Sequence, residues 1–302
     1  MNKRKPKVVV LVVAYNEQRN IKSFLSSVLA QKETNFILES IWVISDGSTD
    51  KTVEIAKSFK SPKIFVQNYK AHNGKSIRLN NFYQETNCDI LVQSDADVIF
   101  SHPFVISELI APLKLASVGM AGGNPIPLPG NTFTERAVNY TVFAYLPYRT
   151  KIKNGHNIFS ADGRLLALKK TLYKKIQIPA DMIANDAFAY FCAKKEGFEY
   201  RHVESAIVNF RSPQNIFDQI KQNTRFVAAF SRMTNYFPYK MVKSEYQVPI
   251  GLSLKTKLNQ LINHPLECSF IFVVNAYCRL RAMYLESKLN AIWDMAYSTK
   301  KL

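Results

Sequence analysis

An apolar run that ends in two carboxylates lies within residues 88–100. Residues 90–92 have the hydrophobicity of a strand buried on both faces, as in the centre of a parallel sheet, and Asp95 and Asp97 follow closely. Ligands of such sheets collect beyond the carboxyl ends of the strands, so we expect both carboxylates at a binding edge. A divalent cation bound to a diphosphate would offset their repulsion. The alternative is a turn whose Asp residues cap the next helix.

Segments with strand and helix patterns alternate over the first hundred residues. The patterns predict strands at 8–13, 40–45, 63–67 and in the run that leads to Asp95, with helices at 20–31, 51–59 and 75–86. This alternation indicates an α/β fold with a mostly parallel, doubly wound sheet and helices on both faces. Polar residues that follow three of the strands should meet at one edge of the sheet. They are Tyr15, Asn16 and Glu17, then Asp46, then Asp95 and Asp97.

The charge of the chain restricts its partners. The formal net charge is +17 over 302 residues, and residues 211–302 contribute 13 Lys and Arg against 5 Asp and Glu. Such an excess points to phosphate-bearing ligands, nucleic acid or an anionic membrane surface. The sequence contains neither a G-x-G-x-x-G dinucleotide fingerprint nor a G-x-x-x-x-G-K-[ST] phosphate loop. Phosphates must then be neutralised by other groups, such as a metal held by the two carboxylates together with Lys75 and Arg78.

The cysteines and the apolar segments indicate the compartment. The four cysteines form no C-x-x-C pair and no metal-ligand spacing with the five histidines, which favours reduced structural thiols in a cytoplasmic protein. We expect the histidines to be structural or exposed, with His156 kept as the one candidate. The apolar run near the start is too short for a signal peptide and lacks a convincing cleavage site. Residues 268–278, the longest uncharged apolar segment without proline, number eleven where about 20 are needed to cross a bilayer.

Four short motifs occur in one β-α series. They are A-Y-N-E at 14–17, D-G-S-T-D at 46–50, G-K-S-I-R-L-N at 74–80 and D-A-D at 95–97. In this order and spacing they resemble the family 2 glycosyltransferases. The resemblance implies the GT-A fold, a nucleotide-sugar donor and a divalent metal, Mn²⁺ or Mg²⁺.

The second half continues the resemblance to about residue 230. The motifs D-G-R-L-L-A-L-K-K at 162–170, N-D-A-F-A-Y-F at 185–191 and Q-N-T-R-F at 222–226 are similar to the acceptor-side motifs of the processive-type branch. The chain departs from that branch at Asn185, which replaces an acidic residue, at Phe226, which replaces tryptophan, and in lacking a large transmembrane bundle. We therefore expect a GT-A domain at 1–232, with a nucleotide-binding half at 1–100 and an acceptor-side half at 101–232, followed by a helical, basic and aromatic C-terminal extension at 233–302.

The resemblance assigns a role to each residue of these motifs. It places Asp46 on the uracil or ribose of the donor, with Tyr15 and Glu17 in the same pocket, and it makes Asp186 the general base. The remaining roles are donor binding for Lys75, Asp95 and Arg225, metal binding for Asp97 with Asp95, and the acceptor side for Gln222 and Phe226.

Each of these residues also has an ordinary structural explanation. Asp46 suits a turn, and Glu17 suits the first turn of a helix. A solvated basic face would account for Lys75 and Arg78, and a surface ion pair with Asp218 would account for Arg225. Asn185 or Asp186 would serve as a plain helix cap.

The extension is predicted to contain helices at 255–262 and 266–295. An apolar stripe on the second helix is interleaved with Arg279, Arg281 and Lys288, and it consists of Phe270, Val273, Val274, Tyr277, Leu280 and Tyr284. Basic and aromatic groups on an apolar face suit an anionic membrane surface. Packing on the catalytic domain would use the same stripe. Both alternatives stay open on the sequence.

The function indicated by these features is inverting transfer of a sugar from a nucleoside-diphosphate sugar, UDP-linked, to a hydroxyl acceptor. A lipid-linked acceptor and a peripheral position on the cytoplasmic face of the membrane would fit the extension. One alternative is a nucleotidyltransferase of the same fold, and another is a non-catalytic basic protein that binds membranes or nucleic acid. Clustered acids at one sheet edge would repel nucleic acid, so we expect no such partner.

Overall fold

The computed structural model describes residues 4–289, 292 and 297–299. The strands of this part of the chain are β1 (Lys7–Ala14), β2 (Ile37–Asp46), β3 (Ile64–Tyr69), β4 (Ile90–Ser94), β5 (Val98–Phe100), β6 (Val118–Pro127), β7 (Leu165–Lys169) and β8 (Glu199–Phe210). The four predicted strands correspond to β1 to β4, and β2 begins three residues earlier than predicted.

The helices lie between and after these strands. They are α1 (Ile21–Leu29), α2 (Thr52–Lys57), α3 (Lys75–Glu85), α4 (Val105–Ile110), α5 (Phe133–Lys151), α6 (Lys170–Tyr173), α7 (Asn185–Lys195), α8 (Ile216–Thr234), α9 (Tyr239–Glu245), α10 (Ile250–Asn263) and α11 (Pro265–Leu285). Short 3-10 helices occur at Ala111–Lys114, Ile152–Gly155, Ile158–Ser160, Glu286–Lys288 and Tyr297–Thr299. The predicted helices of the first half correspond to α1, α2 and α3, and their ends differ by one or two residues.

The strands form one sheet in the order β3-β2-β1-β4-β7-β6-β8-β5. Strands β3, β2, β1 and β4 are parallel neighbours. Because β1 lies between β2 and β4, the winding of the chain reverses at β1, and a crevice opens beyond the carboxyl ends of these strands. This is the edge at which the sequence places its polar residues.

The second half of the sheet is mixed. Strand β7 runs antiparallel to both β4 and β6, β8 is parallel to β6, and β5 is antiparallel to β8. The expected parallel arrangement thus holds for β3, β2, β1 and β4, whereas the other half of the sheet contains both parallel and antiparallel pairs. Pairing of Ser94 with Leu165 places the start of β7 beside the end of β4. Residues 161–164 are thereby brought to the same edge as Asp95 and Asp97.

Apolar layers cover both faces of the sheet, as predicted for a doubly wound fold. Successive residues of a strand point to opposite faces, so Val10 of β1 packs with α1 and α4 while Leu11 packs with α3 and α7. On the first face α1 contributes Ile21, Phe24, Leu25 and Val28. The two layers fix the sheet, and the sheet in turn fixes its polar edge.

The C-terminal extension both packs on the domain and exposes an apolar face. Helix α11 buries Ile271, Val274, Cys278 and Ala282 in clusters with α5 and α8. The predicted stripe was wrong as a single face, because it combined buried Val274 with residues that are 52–81% exposed. Those exposed residues are Val273, Tyr277, Leu280 and Tyr284.

Helix α11 ends at Leu285, and residues 290, 291 and 293–295 of the predicted helix lie outside the described residues. Helix α10 begins five residues before its predicted start. Within residues 4–289, 292 and 297–299, no helix is both long enough and apolar enough to cross a bilayer.

Gly122 in β6 is required by close packing, which gives a first testable prediction. A Cβ at this position would lie 2.1 Å from the hydroxyl of Tyr200, which is buried and donates to the Ser160 carbonyl at 2.7 Å. Gly122→Ala should therefore destabilise the protein by about 1–3 kcal/mol in urea unfolding, the usual cost of overpacking. Gly251→Ala is the matched control, because a Cβ there meets open space on exposed α10. Equal stability of the two variants would contradict this packing.

Candidate active site

The ten residues predicted for the site line one cleft beyond the carboxyl ends of β1, β2 and β4. They are Tyr15, Glu17, Asp46, Lys75, Asp95, Asp97, Asp186, Gln222, Arg225 and Phe226. Other residues of the wall were not assigned a role from the sequence, among them His72, Asp162, Arg164 and Thr299. The chain therefore brings together residues that are up to about 200 positions apart in sequence.

Asp46, at the end of β2, is almost fully buried and accepts four hydrogen bonds from the chain itself. Oδ1 accepts from Arg78 Nε at 2.6 Å and from the Asn73 amide at 3.1 Å. Oδ2 accepts from the Gly74 amide at 2.7 Å and from His72 Nδ1 at 2.8 Å. Asp46 thus holds the segment that leads into α3, and a direct contact with the donor would have to replace one of these four bonds.

His72 lines the cleft, which the sequence did not indicate, whereas Arg78, suggested from the sequence for phosphate neutralisation, donates to Asp46 instead. The His72 ring stacks on Tyr15 with 3.7 Å between centroids, and its Nδ1 faces two oxygens of Asp46, so Nδ1 carries a proton. Arg78 is buried and stacks on Tyr69 at 3.7 Å. The explanation of Arg78 as part of a solvated basic face was therefore wrong. In the sequence, Arg78 was marked only by its position three residues after Lys75.

Two acidic residues follow β4, and the nearby cations are Lys75 and Arg164. Lys75 Nζ forms an ion pair with Asp95 Oδ1, and the lysine is buried, so the solvated-face explanation was wrong for it as well. Burial and the nearby charge of Asp95 raise the pKa of Asp97 to about 6. The two carboxylates are thus only partly neutralised by the protein.

The donor set of Asp95 and Asp97 fits a hard divalent cation. In the part of the chain that the structure describes, no group of three or more His, Cys, Asp and Glu side chains is arranged to hold a metal. Two carboxylates leave most of the positions around Mg²⁺ or Mn²⁺ to phosphate oxygens and water, which is how Mg²⁺ is commonly held. The raised pKa of Asp97 indicates an excess of negative charge that such a cation would relieve.

Asp186 lies in the first turn of α7 and points into the cleft. Its Oδ2 accepts from the Gly163 amide at 3.0 Å, and its Oδ1 accepts from the Ala187 amide at 2.8 Å. Burial raises the pKa of Asp186, and the charge of Asp162 adds to this. A carboxylate that is poorly stabilised as an anion is a better proton acceptor than an exposed one.

Neither Asn185 nor Asp186 caps the helix, so that explanation was wrong. The N-cap position is Ala184, and no side chain accepts a capping bond there. Asn185 Oδ1 accepts from Ser76 Oγ at 2.9 Å, which ties α7 to α3.

Asp162 forms a charge network beside Asp186. Its Oδ2 pairs with Arg149 NH2 at 2.9 Å and with Arg164 NH1 at 3.0 Å. Although burial opposes it, Arg164 and Arg149 hold the pKa of Asp162 below its ordinary value. Arg164 also stacks on Phe210 at 3.8 Å. The network fixes the turn that directs the Gly163 amide at Asp186.

Helix α8 closes the other side of the cleft with Gln222, Arg225 and Phe226. Arg225 NH2 donates to the Ile183 carbonyl at 3.3 Å, close to the start of α7. Phe226 is 62% exposed at the mouth of the cleft, where an acceptor would enter. Asp218, the suggested surface partner of Arg225, is buried near the start of α8 and accepts from the Ser298 amide at 2.8 Å.

Residues 9–177 match the model of Glycosyl transferase family 2. The chain belongs to this family. Over 122 residues it is 32% identical to a poly-beta-1,6-N-acetyl-D-glucosamine synthase of Staphylococcus aureus (strain COL), which covers 39% of this chain and 28% of the synthase. It is also 34% identical over 100 residues to the probable glycosyltransferase YdaM of Bacillus subtilis (strain 168), covering 32% of this chain and 24% of YdaM. The chain thus matches less than a third of the length of these relatives.

The fold of this family 2 member is similar to that of mannosyltransferase PcManGT from Pyrobaculum calidifontis, solved in complex with GDP-Man and Mn²⁺. The TM-score is 0.60 at 16% sequence identity, and the match covers 94% of this chain and 84% of that one. The GT-A fold expected from the sequence is confirmed. The roles of the individual cleft residues stay predictions.

Proposed function

We propose that the chain is an inverting glycosyltransferase that moves a sugar from a nucleoside-diphosphate sugar to a hydroxyl acceptor. One observation carries the proposal: a carboxylate pair suited to a metal and a separate, buried carboxylate with a raised pKa line the same cleft of a family 2 chain. The first arrangement suits departure of a nucleotide, and the second suits activation of a hydroxyl group.

The donor half of the reaction uses the end of β4. Asp95 and Asp97 would hold Mn²⁺ or Mg²⁺, which when bound supplies positive charge to the departing diphosphate. Lys75 stands beside Asp95 with its ammonium group in the cleft wall, where it attracts phosphate oxygens. Arg225 approaches from α8 and offers a planar group for a phosphate. Asp46 and His72 shape the pocket for the nucleoside.

The acceptor half uses Asp186. Each of its oxygens accepts a hydrogen bond from one backbone amide. A carboxylate oxygen has a second lone pair, which can accept a hydrogen bond from a hydroxyl group. The two amides fix the orientation of the carboxylate, while burial raises its affinity for a proton. Asp186 therefore takes the proton of the acceptor hydroxyl as the new glycosidic bond forms.

Asp186→Asn should lower the turnover number for sugar transfer by roughly 10²–10⁴-fold, the usual contribution of a positioned base. The variant loses one of the two hydrogen bonds that Asp186 accepts from backbone amides, so we expect the free energy of unfolding to change by only about 1 kcal/mol. Donor binding should be unchanged. Asp50→Asn is the matched control, because the Asp50 oxygens also accept two backbone amides, from Thr52 at 2.9 Å and Gln18 at 3.1 Å, outside the cleft wall.

The pH profile gives a further readout for the same variant. Because the pKa of Asp186 is raised, wild-type transfer should decline with falling pH from a higher pH than an ordinary aspartate would give. The residual activity of Asp186→Asn should lack this acid limb. Wild-type turnover in Asp186→Asn, measured with a verified donor and acceptor, would assign the base to another residue.

We propose UDP as the nucleotide, on the resemblance of the motifs around Asp46 and Asp97. UDP binding should require Mn²⁺ and Asp97, because the carboxylates alone repel a diphosphate. In calorimetry, EDTA and Asp97→Ala should each abolish binding. Asp89→Ala should bind like the wild type, because Asp89 lies at the opposite end of β4 and accepts from the Lys7 amide at 2.8 Å. Full binding in EDTA and an unchanged Asp97→Ala variant would together rule out the metal site.

The products distinguish transfer from the nucleotidyl reaction that a similar fold can support. A glycosyltransferase releases UDP from the donor, whereas a nucleotidyltransferase releases pyrophosphate. Sugar transfer is favoured because the second carboxylate lies on α7 with the acceptor-side motifs.

We also propose a lipid-linked acceptor at an anionic membrane surface. Helices α10 and α11 expose apolar side chains, and Phe226 of α8 is exposed at the cleft. The most exposed of them are Ile250, Ile262, Leu266, Phe272, Met283 and Tyr284. Lys255, Lys257, Arg279 and Lys288 are exposed on the same segment. Each basic residue near an anionic surface contributes on the order of 1 kcal/mol, so a few suffice for reversible binding.

Sedimentation with vesicles tests this surface. The protein should pellet with vesicles that contain anionic phospholipid and far less with neutral ones. The double variant Met283→Ser and Tyr284→Ser should weaken the binding, because it removes apolar groups from the proposed membrane face. Both side chains are at least 80% exposed, so we expect the variant to keep its fold. Leu115→Ser is the control, because Leu115 is 55% exposed outside the extension. Equal partition to both vesicle types would refute the proposal, and a dimer that the double variant abolishes would assign the face to a second copy.

A further inference from the structure

The segment of residues 174–184 joins α6 to α7 and leads directly to Asp186. One end of this segment is fixed by α3, where the Asn80 side chain donates to the Ile178 carbonyl and accepts from the Ile178 amide, each at 2.8 Å. The last residues before α7 make different contacts. These contacts come from α8 and from the C-terminal extension.

Arg232 of α8 is the centre of those contacts. It is 4% exposed, and NH1 donates to the Asp181 carbonyl. Its Nε donates to Glu286 Oε1 at 2.8 Å, and NH2 donates to the Glu286 carbonyl at 2.6 Å and the Leu289 carbonyl at 3.4 Å. A single buried guanidinium therefore joins the segment before Asp186 to the residues that follow α11.

Apolar packing supports the same junction. Ile183 is buried in a cluster with Ala228 of α8 and Ala282 of α11, against which Leu289 also packs. Arg225, seven residues before Arg232 and on the same side of α8, donates to the Ile183 carbonyl. Residues 181 and 183 are thus both fastened to one face of α8, five and three residues before Asp186.

We propose that Arg232 is a positioning residue, which sets the place of Asp186 by clamping residues 181–183 between α8 and the C-terminal extension. The proposal rests on Asp186 acting as the base. Arg232 lies outside the residues that line the cleft, so it acts through the backbone. The carbonyl groups around it accept from two nitrogens of one planar guanidinium group. No other side chain offers so many donors in one plane. Without that group, the start of α7 loses one of the anchors that hold it against the Gly163 amide, and the bonds of Arg225 to Ile183 and of Ser76 to Asn185 stay in place.

Arg232→Met should lower kcat by roughly 10- to 100-fold, because a shift of about 1 Å in a reacting group has effects of this size. The KM for the nucleotide sugar should stay within about twofold, since Lys75, Asp95 and Asp97 belong to α3 and the end of β4 rather than to the clamped segment. Amides of residues 180–187 should exchange hydrogen faster, as measured by mass spectrometry, while those of β4 stay unchanged. Glu286→Gln is a milder second variant that leaves Arg232 in place, and it should change the same amides in the same direction.

Arg136→Met is the matched control. It removes an ion pair to Glu267, 3.6 Å in length, at the other end of α11, and it should change neither kcat nor the exchange of residues 180–187. If both clamp variants fold and exchange at these amides is unaltered, the inference is overturned. It is also overturned if exchange rises while kcat is unchanged, or if kcat and KM change together. The exchange experiment needs no substrate, so it tests the clamp even if the proposed transfer reaction is not found.

Discussion

Mutual repulsion among carboxylates is the constraint around which the cleft is built. Six of them line the cleft, and the chain neutralises them unequally. Asp46 is held by Arg78, Asp95 by Lys75, and Asp162 by Arg149 and Arg164. Asp97 and Asp186 receive less compensation, and their pKa values are raised. Perturbed pKa values cluster at functional sites, and the proposed function assigns a cation to Asp97 and an acceptor hydroxyl group to Asp186.

The antiparallel strand β7 makes this division possible. In a wholly parallel sheet the neighbour of β4 would end, not begin, at the ligand edge. Because β7 begins there, the chain enters it through Asp162, Gly163 and Arg164, and supplies an acid, an amide and a cation within three residues. The cation balances charge beside β4, and the amide meets Asp186. One reversal of strand direction therefore connects the end of β4 with the start of α7, the proposed donor and acceptor sides of the cleft.

Much of the fold was predictable because its signals are local. Apolar periodicity predicted β1 to β4 and the helices between them. The motifs, in their order along the chain, identified the ten predicted residues that line the cleft. The failures have a different origin. The stacking of His72 on Tyr15 and the clamp of Arg232 on Asp181 join residues more than 50 positions apart. Such pairs leave no pattern in a window of ten to twenty residues, so only the folded chain shows them.

The exposed face of α11 illustrates the same limit. Periodicity correctly indicated an apolar helix, but it could not show that one side meets α5 and α8 while the adjacent side meets solvent. Likewise, the cap expected at Asn185 was chemically reasonable, yet a hydroxyl group of α3 was close enough to take its oxygen. Tertiary contacts decided between options that local sequence left equal.

The four hydrogen bonds of Asp46 limit how this enzyme family member can evolve. Asp46, which we propose shapes the nucleoside pocket, also fastens the start of α3, so a change of nucleotide preference through position 46 would loosen the backbone that carries Lys75. Tyr15 is one step removed from this network, because its ring stacks on His72, which donates one of the four bonds. In the proposed site, donor preference would therefore change most readily at Tyr15, with Asp46 and its four bonds retained.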